Sequence, residues 1–167
     1  LSRIGLIKVY ANRNASNLNI PADEFQTSVQ QAPLVSVDLI IMDPHDYCLL
    51  GRRLNRPAKG TMFVPGGRIL KNETIDAATS RILLAETGYR IIELDELTFK
   101  GVYEHFYSDC YWDDNISTHY VVLAYRIKLA ARFAESPDSQ HELLEWLDID
   151  ELLSRPDVHE NVKAYFI

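Results

Sequence analysis

The residues best suited to chemistry lie in one stretch. Gly66-Gly67-Arg68-Ile69-Leu70-Lys71-Asn72-Glu73 is followed by a segment that ends Arg81-Ile82-Leu83-Leu84-Ala85-Glu86-Thr87-Gly88. A glycine pair opens backbone conformations closed to other residues and leaves its N–H and C=O groups within reach of a ligand. Glu86 falls near a helix C-terminus, where the helix dipole disfavours an anion, so something positive belongs beside it. The plainer alternative is a solvated Glu86 and a surface contact from Arg81. His141 follows Gln140 in a polar stretch, and an imidazole with an ordinary pKa near 6.5 suits a base working at neutral pH; a merely solvated histidine is the rival reading. Arg52, Arg53, Arg56 and Lys59 form a basic group able to meet an anion, although a hairpin end exposes such residues anyway. Asp38 interrupts an apolar strand, and a carboxylate there needs a partner or a cavity.

These residues must be positioned by regular elements. Ala22–Gln31 reads as a helix, with Phe25 and Val29 at i, i+4 spacing. Leu34–Met42 is an apolar, β-branched run that reads as a strand. The turn Asp43-Pro44-His45-Asp46 returns it into Tyr47–Arg53. Met62–Val64 is a short strand ahead of Pro65-Gly66-Gly67. Thr74–Glu86 is helical, with Ile75, Ala78, Ile82 and Leu83 near a 3.6 period, Thr74 as N-cap and Gly88 as the stop. Leu97–Phe106 and Thr118–Leu129 are long strands flanking an aromatic and acidic loop. Phe133–His141 reads as a polar loop, Leu143–Leu147 as a strand, and Asp150–Ser154 and Val158–Phe166 as short helices. Strands with an inserted helix predict an α+β or α/β sandwich, helices covering the faces of a mixed sheet.

Bulk properties narrow the classes. A chain of 167 residues fits one domain, here residues 21–167, with 1–20 expected to be an added arm or a vector-derived remnant. A net charge of -7 argues against a nucleic-acid binder. No apolar run approaches a membrane span, and no signal peptide is apparent, so a cytoplasmic protein is expected. Cys48 and Cys110 match no metal spacing and read as free thiols, a single bridge being the alternative.

The stretch Gly67–Tyr89 resembles the Nudix box, in which a glycine, a Glu, an Arg-Glu, a Glu-Glu pair and a closing glycine recur at fixed spacing. Gly67, Glu73, Arg81, Glu86 and Gly88 stand in register. The chain departs from the box at Ile82 and Ala85, where the family carries glutamates. Positions 82, 85 and 86 share one helix face, so three carboxylates are reduced to one. The remainder, from about Phe25 to Phe166, resembles the GDP-mannose mannosyl hydrolase subfamily, which lacks the same two glutamates. Stretches that carry this likeness include Pro33–Asp38, Asn55–Ala58, Phe63–Arg68, His105–Tyr107, Thr118–Val122 and Asp138–His141.

The resemblance implies a Nudix-type mixed sheet between helices and a homodimer acting on a nucleotide sugar with Mg²⁺, for which Mn²⁺ substitutes. It implies Gly66, Glu86 and Gln140 as metal ligands, His141 as general base and Arg53 as the charge that neutralises departing GDP. Arg68 is a second candidate for the phosphates. Asp38, His105 and Tyr120 match positions facing the sugar or leaving group, with core packing the rival for Tyr120. Phe25 matches a position that stacks on guanine, with a plain amphipathic anchor the rival. Gly67, Glu73, Arg81 and Gly88 hold the motif's shape. Three activities follow as alternatives. They are attack of water on the anomeric carbon of GDP-mannose (GDP-glucose also acceptable) with inversion, attack on phosphorus as in an ordinary Nudix pyrophosphatase, and non-catalytic binding of a nucleotide sugar.

Overall fold

The computed structural model describes residues 21–89, 97–133 and 141–167, so the expected N-terminal arm and Gln140 lie outside the described residues. The elements run α1 (Ala22–Gln31), β1 (Leu34–Met42), β2 (Cys48–Arg53), β3 (Met62–Phe63), β4 (Gly66–Arg68), α2 (Ile75–Thr87), β5 (Leu97–Tyr107), β6 (Thr118–Lys128), β7 (His141–Leu147), α3 (Ile149–Ser154) and α4 (Glu160–Lys163).

The apolar run of β1 dictates its place at the centre of the sheet, since every residue from Ser36 to Met42 is buried. A strand apolar on both faces needs cover on both. Val37, Leu39 and Ile41 join Leu49, Ala78, Ile82 and Leu83 in the core beneath α2. Ile40 and Met42 turn to the opposite core, which Leu152 of α3, Val162 of α4 and Tyr165 just beyond it cover. The result is a mixed α+β sandwich, helices on either side of one seven-stranded sheet.

The strand order is β3-β2-β1-β6-β5, with β4 added on β1 and β7 on β2. β1 and β6 are parallel, from Leu34↔Tyr120 to Met42↔Lys128, while the other pairs are antiparallel. β1 meets β2 only near the turn, at Met42↔Cys48, and its first half pairs instead with β4, where Asp38 stands opposite Gly66. That split opens the sheet between β2 and β4.

α2 begins where the Thr74 side chain accepts from Ala77 N and closes at Gly88, whose left-handed backbone (φ 70°) returns its N–H to Leu84 O. Three elements differ from expectation. Gly66–Arg68 is a strand, which glycines conceal because they carry no side-chain alternation. β7 begins at His141, not Leu143, because Arg53 on β2 continues the ladder to it. The last helix shrinks to Glu160–Lys163, since Val158 bridges Met62 and the Met62 N–H and C=O bond Asp157 O and His159 N.

Candidate functional site

A cleft of about 980 Å³ opens over the split in the sheet, reached by residues from α1, β1, β2, β4, α2, β5 and β6. Strand register assembles much of it. Asp38 lies opposite Gly66, His105 opposite Tyr120, and Arg53 opposite His141. For His141 this places the backbone alone; its side chain lies outside the described residues.

The floor is a buried polar chain. The Tyr165 hydroxyl donates to Asp38 Oδ2 at 2.6 Å and lies 3.2 Å from His105 Nε2. Asp38 projects into the cleft beside β4 only because Gly66 has no side chain: a Cβ there would stand 2.5 Å from Asp38 Oδ1. Burial pushes the Asp38 carboxyl up to about 6, against the hydrogen bond from Tyr165 and the Arg53 charge. Burial, aided by His159, pushes His105 down to about 4. Both groups therefore take their uncharged-histidine, ionised-carboxylate forms at neutral pH.

The Asp38 carboxyl is held above its ordinary value of 3.8, so it favours the folded state below that value and loses this contribution as pH rises through about 6. Above pH 6 the ionised carboxylate costs about 3 kcal/mol relative to the unfolded chain. Asp38→Asn is accordingly expected to unfold at higher urea than the parent at pH 7.5, with the gain vanishing by pH 4. A variant less stable than the parent at pH 7.5 contradicts this reading.

The glycine loop and α2 form the second wall. Glu73 accepts from Arg81 Nε at 2.7 Å and Arg81 Nη2 at 2.8 Å, while the same Nη2 donates to Arg68 O at 2.7 Å. Leu70 N–H also bonds Glu73 Oε2, so the pair ties loop to helix. Glu86 is 3% exposed and faces the cleft with Ile82 and Ala85. Ile82 fills the space beneath the loop, its Cγ1 3.2 Å from where a Cβ on Gly67 would lie. Among the described residues no three His, Cys, Asp or Glu side chains converge on a metal position. The cleft face of α2 contributes one carboxylate, Glu86, near the glycine backbone of β4. Such hard oxygen donors fit a single Mg²⁺ or Mn²⁺ that keeps water in its shell.

The basic group divides. Arg52 turns away to Asp157 at 2.8 Å and to Gly60 O, whereas Arg53 lines the cleft with Nε donating to Pro57 O at 2.9 Å. Arg56 also lines it but is paired with Asp109 and Asp114 of the loop after β5. At the mouth the Arg68 guanidinium sits 3.7 Å from the centre of the Phe25 ring, and Phe25 meets the edge of Trp112 at 5.2 Å. Tyr120 lines the same wall, half-buried, and desolvation pushes its hydroxyl upward in pKa. Asp38, Arg53, Gly66, Arg68, Glu86, His105, Tyr120 and Phe25 thus meet in one cleft. The sequence left Tyr165 and Trp112 unmarked as site residues; only the concentration of aromatics in the loop after Phe106 pointed to the latter. Cys48 and Cys110 are both free and buried.

A two-layered cover on a split mixed sheet, with a glycine loop and helix presenting a carboxylate to a polar cleft, defines the class as an α+β sandwich. The chain belongs to the NUDIX family: the model of the NUDIX domain matches residues 32–167. It is 40% identical over 125 residues to the low-salt glycan biosynthesis protein Agl8 of Haloferax volcanii, covering 75% of this chain and 77% of that relative. Its fold is similar to the MutT protein of Methanosarcina mazei Go1 (TM-score 0.67, 16% identity, 81% of this chain and 92% of that one). It is also similar to the NUDIX domain of Shewanella oneidensis NrtR, solved with ADP ribose (TM-score 0.63, 18% identity, 88% and 97%). Family membership supports a hydrolase acting on a nucleoside diphosphate derivative. Among the described residues no helix is long and apolar enough to cross a membrane.

Proposed function

We propose that the protein hydrolyses GDP-mannose at the anomeric carbon, releasing GDP and the free sugar with inversion. The observation that carries this reading is the cleft face of α2, where Ile82 and Ala85 flank Glu86. Attack on phosphorus in the wider family draws on several convergent carboxylates, and this helix offers one. A base must then come from elsewhere, and His141, whose backbone continues the ladder opposite Arg53, is the candidate.

Arg53 stands where negative charge develops on the departing diphosphate, and a fixed guanidinium there stabilises the transition state more than the ground state. Arg68 supplements it. Glu86, the Gly66 carbonyl and Gln140 would hold one Mg²⁺, which Mn²⁺ can replace and which supplies further charge neutralisation on the phosphates. Asp38, His105 and Tyr120 face the sugar, and Phe25 offers a ring to guanine once Arg68 moves to phosphate. Direct displacement by water in a single step gives inversion. Support for the substrate class is coarser: a relative named for glycan biosynthesis, and a neighbouring fold holding ADP ribose. A homodimer is part of the same proposal.

Incubation with GDP-mannose and Mg²⁺ in ¹⁸O-water tests it. GDP as the product, with label in the sugar, is expected. GMP with label in phosphate overturns attack at carbon, and no product at all favours a binding protein.

A further inference from the structure

We propose that Tyr165 is a positioning residue that orders Asp38 and His105 into a pair of hydrogen-bond acceptors for adjacent hydroxyls of the hexose. This rests on the nucleotide-sugar reading above. Tyr165 lies just beyond α4, 127 residues from Asp38 in sequence, yet its hydroxyl is the common neighbour of both groups.

A phenol has one proton to give and one oxygen with which to accept. The 2.6 Å contact to Asp38 Oδ2 is short, as expected of a hydroxyl donating to an ionised carboxylate. With its proton committed there, the hydroxyl satisfies the 3.2 Å contact with His105 only by accepting from Nε2–H. That fixes the tautomer of a neutral imidazole and leaves Nδ1 as an acceptor. The second oxygen of the carboxylate, Oδ1, stands on the Gly66 side of the cleft. Protons on the chain His105–Tyr165–Asp38 therefore run one way, and both ends are left able to accept. A ligand offering two hydroxyl donors matches such a pair; a diphosphate, which offers none, does not. Neighbouring groups reinforce the arrangement. Tyr103 packs edge-on against the Tyr165 ring at 4.7 Å, and Asn161 on α4 donates to the Tyr107 hydroxyl at 3.2 Å. The buried state of both acceptors makes an unmatched ligand costly to admit.

Tyr165→Phe removes the hydroxyl and keeps the ring. Binding of GDP-mannose and of GDP is measured by calorimetry with divalent cations chelated, so that affinity is read without turnover. Expected is a loss of about tenfold in GDP-mannose affinity, typical of one hydrogen-bonding group, with GDP affinity unchanged. Equal losses for both ligands indicate a merely structural side chain and overturn the proposal. So do an unchanged GDP-mannose affinity and a parent protein that binds GDP-mannose no more tightly than GDP. Should Tyr165→Phe fail to fold, His105→Asn under the same comparison decides, with the same outcomes. Release of GMP in the product assay would remove attack at carbon without touching this result, because binding reads the sugar whichever bond breaks.

Discussion

Changing Glu86 to Gln is expected to weaken Mn²⁺ binding by at least roughly 10–100-fold, the scale lost when even an outer-shell partner of a metal ligand is changed. The substitution keeps the shape of the side chain and removes its charge. Glu86 sits in the last turn of α2, 3% exposed, where the exposed carbonyls of the helix end already make the surroundings negative. A cation held beside it relieves that cost, so its affinity should depend steeply on the charge at position 86. Activity at low Mn²⁺ should fall in parallel and recover in part when the metal concentration is raised. Titration of free Mn²⁺ by electron paramagnetic resonance measures the change directly. Equal affinity in parent and variant would remove Glu86 from the ligand set. Glu73→Gln serves as the contrast. It breaks the two-bond pair with Arg81 that joins the glycine loop to the helix, and its expected effect is a lower urea midpoint.

Elements whose burial follows a simple period were legible in the sequence. The apolar run of β1 and the 3.6 spacing of α2 gave bounds within a residue or so of the structure. The same helical period places positions 82, 85 and 86 on one face, and Ile82, Ala85 and Glu86 do line one wall. What stayed hidden depended on pairing between distant segments. Arg52 and Arg53 are adjacent and chemically identical, yet strand alternation sends one to Asp157 and the other to the cleft, and nothing local distinguishes them. Gly66–Arg68 becomes a strand because β1 supplies its partners, not because its residues favour extension. Tyr165 reaches Asp38 through the packing of the C-terminal helices onto the sheet. No spacing rule relates two residues that far apart, so that contact could be found only in the folded chain.

His141→Ala is expected to lower kcat by about 10²–10⁴-fold, the usual contribution of a general base, while leaving Mn²⁺ affinity unchanged. The two readouts separate the roles assigned to residues 86 and 141: one should move binding of the cation, the other the rate alone. The pH profile sharpens the test. A base must be deprotonated to act, so removing it takes one ionisation away from the acid side of the kcat/KM profile. Asp38, pushed up to about 6 by burial, titrates on the same side, and its protonation turns one of the acceptors proposed for the sugar into a donor. In the parent the two ionisations together make activity fall steeply as pH drops. In His141→Ala the fall of the residual activity should become shallower, leaving the ionisation near 6 that belongs to Asp38. In Asp38→Asn the limb near 6 should disappear instead. The ladder register that sets His141 opposite Arg53 also carries a geometric demand, since a base on β7 and a charge on β2 can share one substrate only if both side chains turn toward the same side of the sheet. A rate unchanged by His141→Ala, with the acid limb intact, would leave attack at carbon without its base.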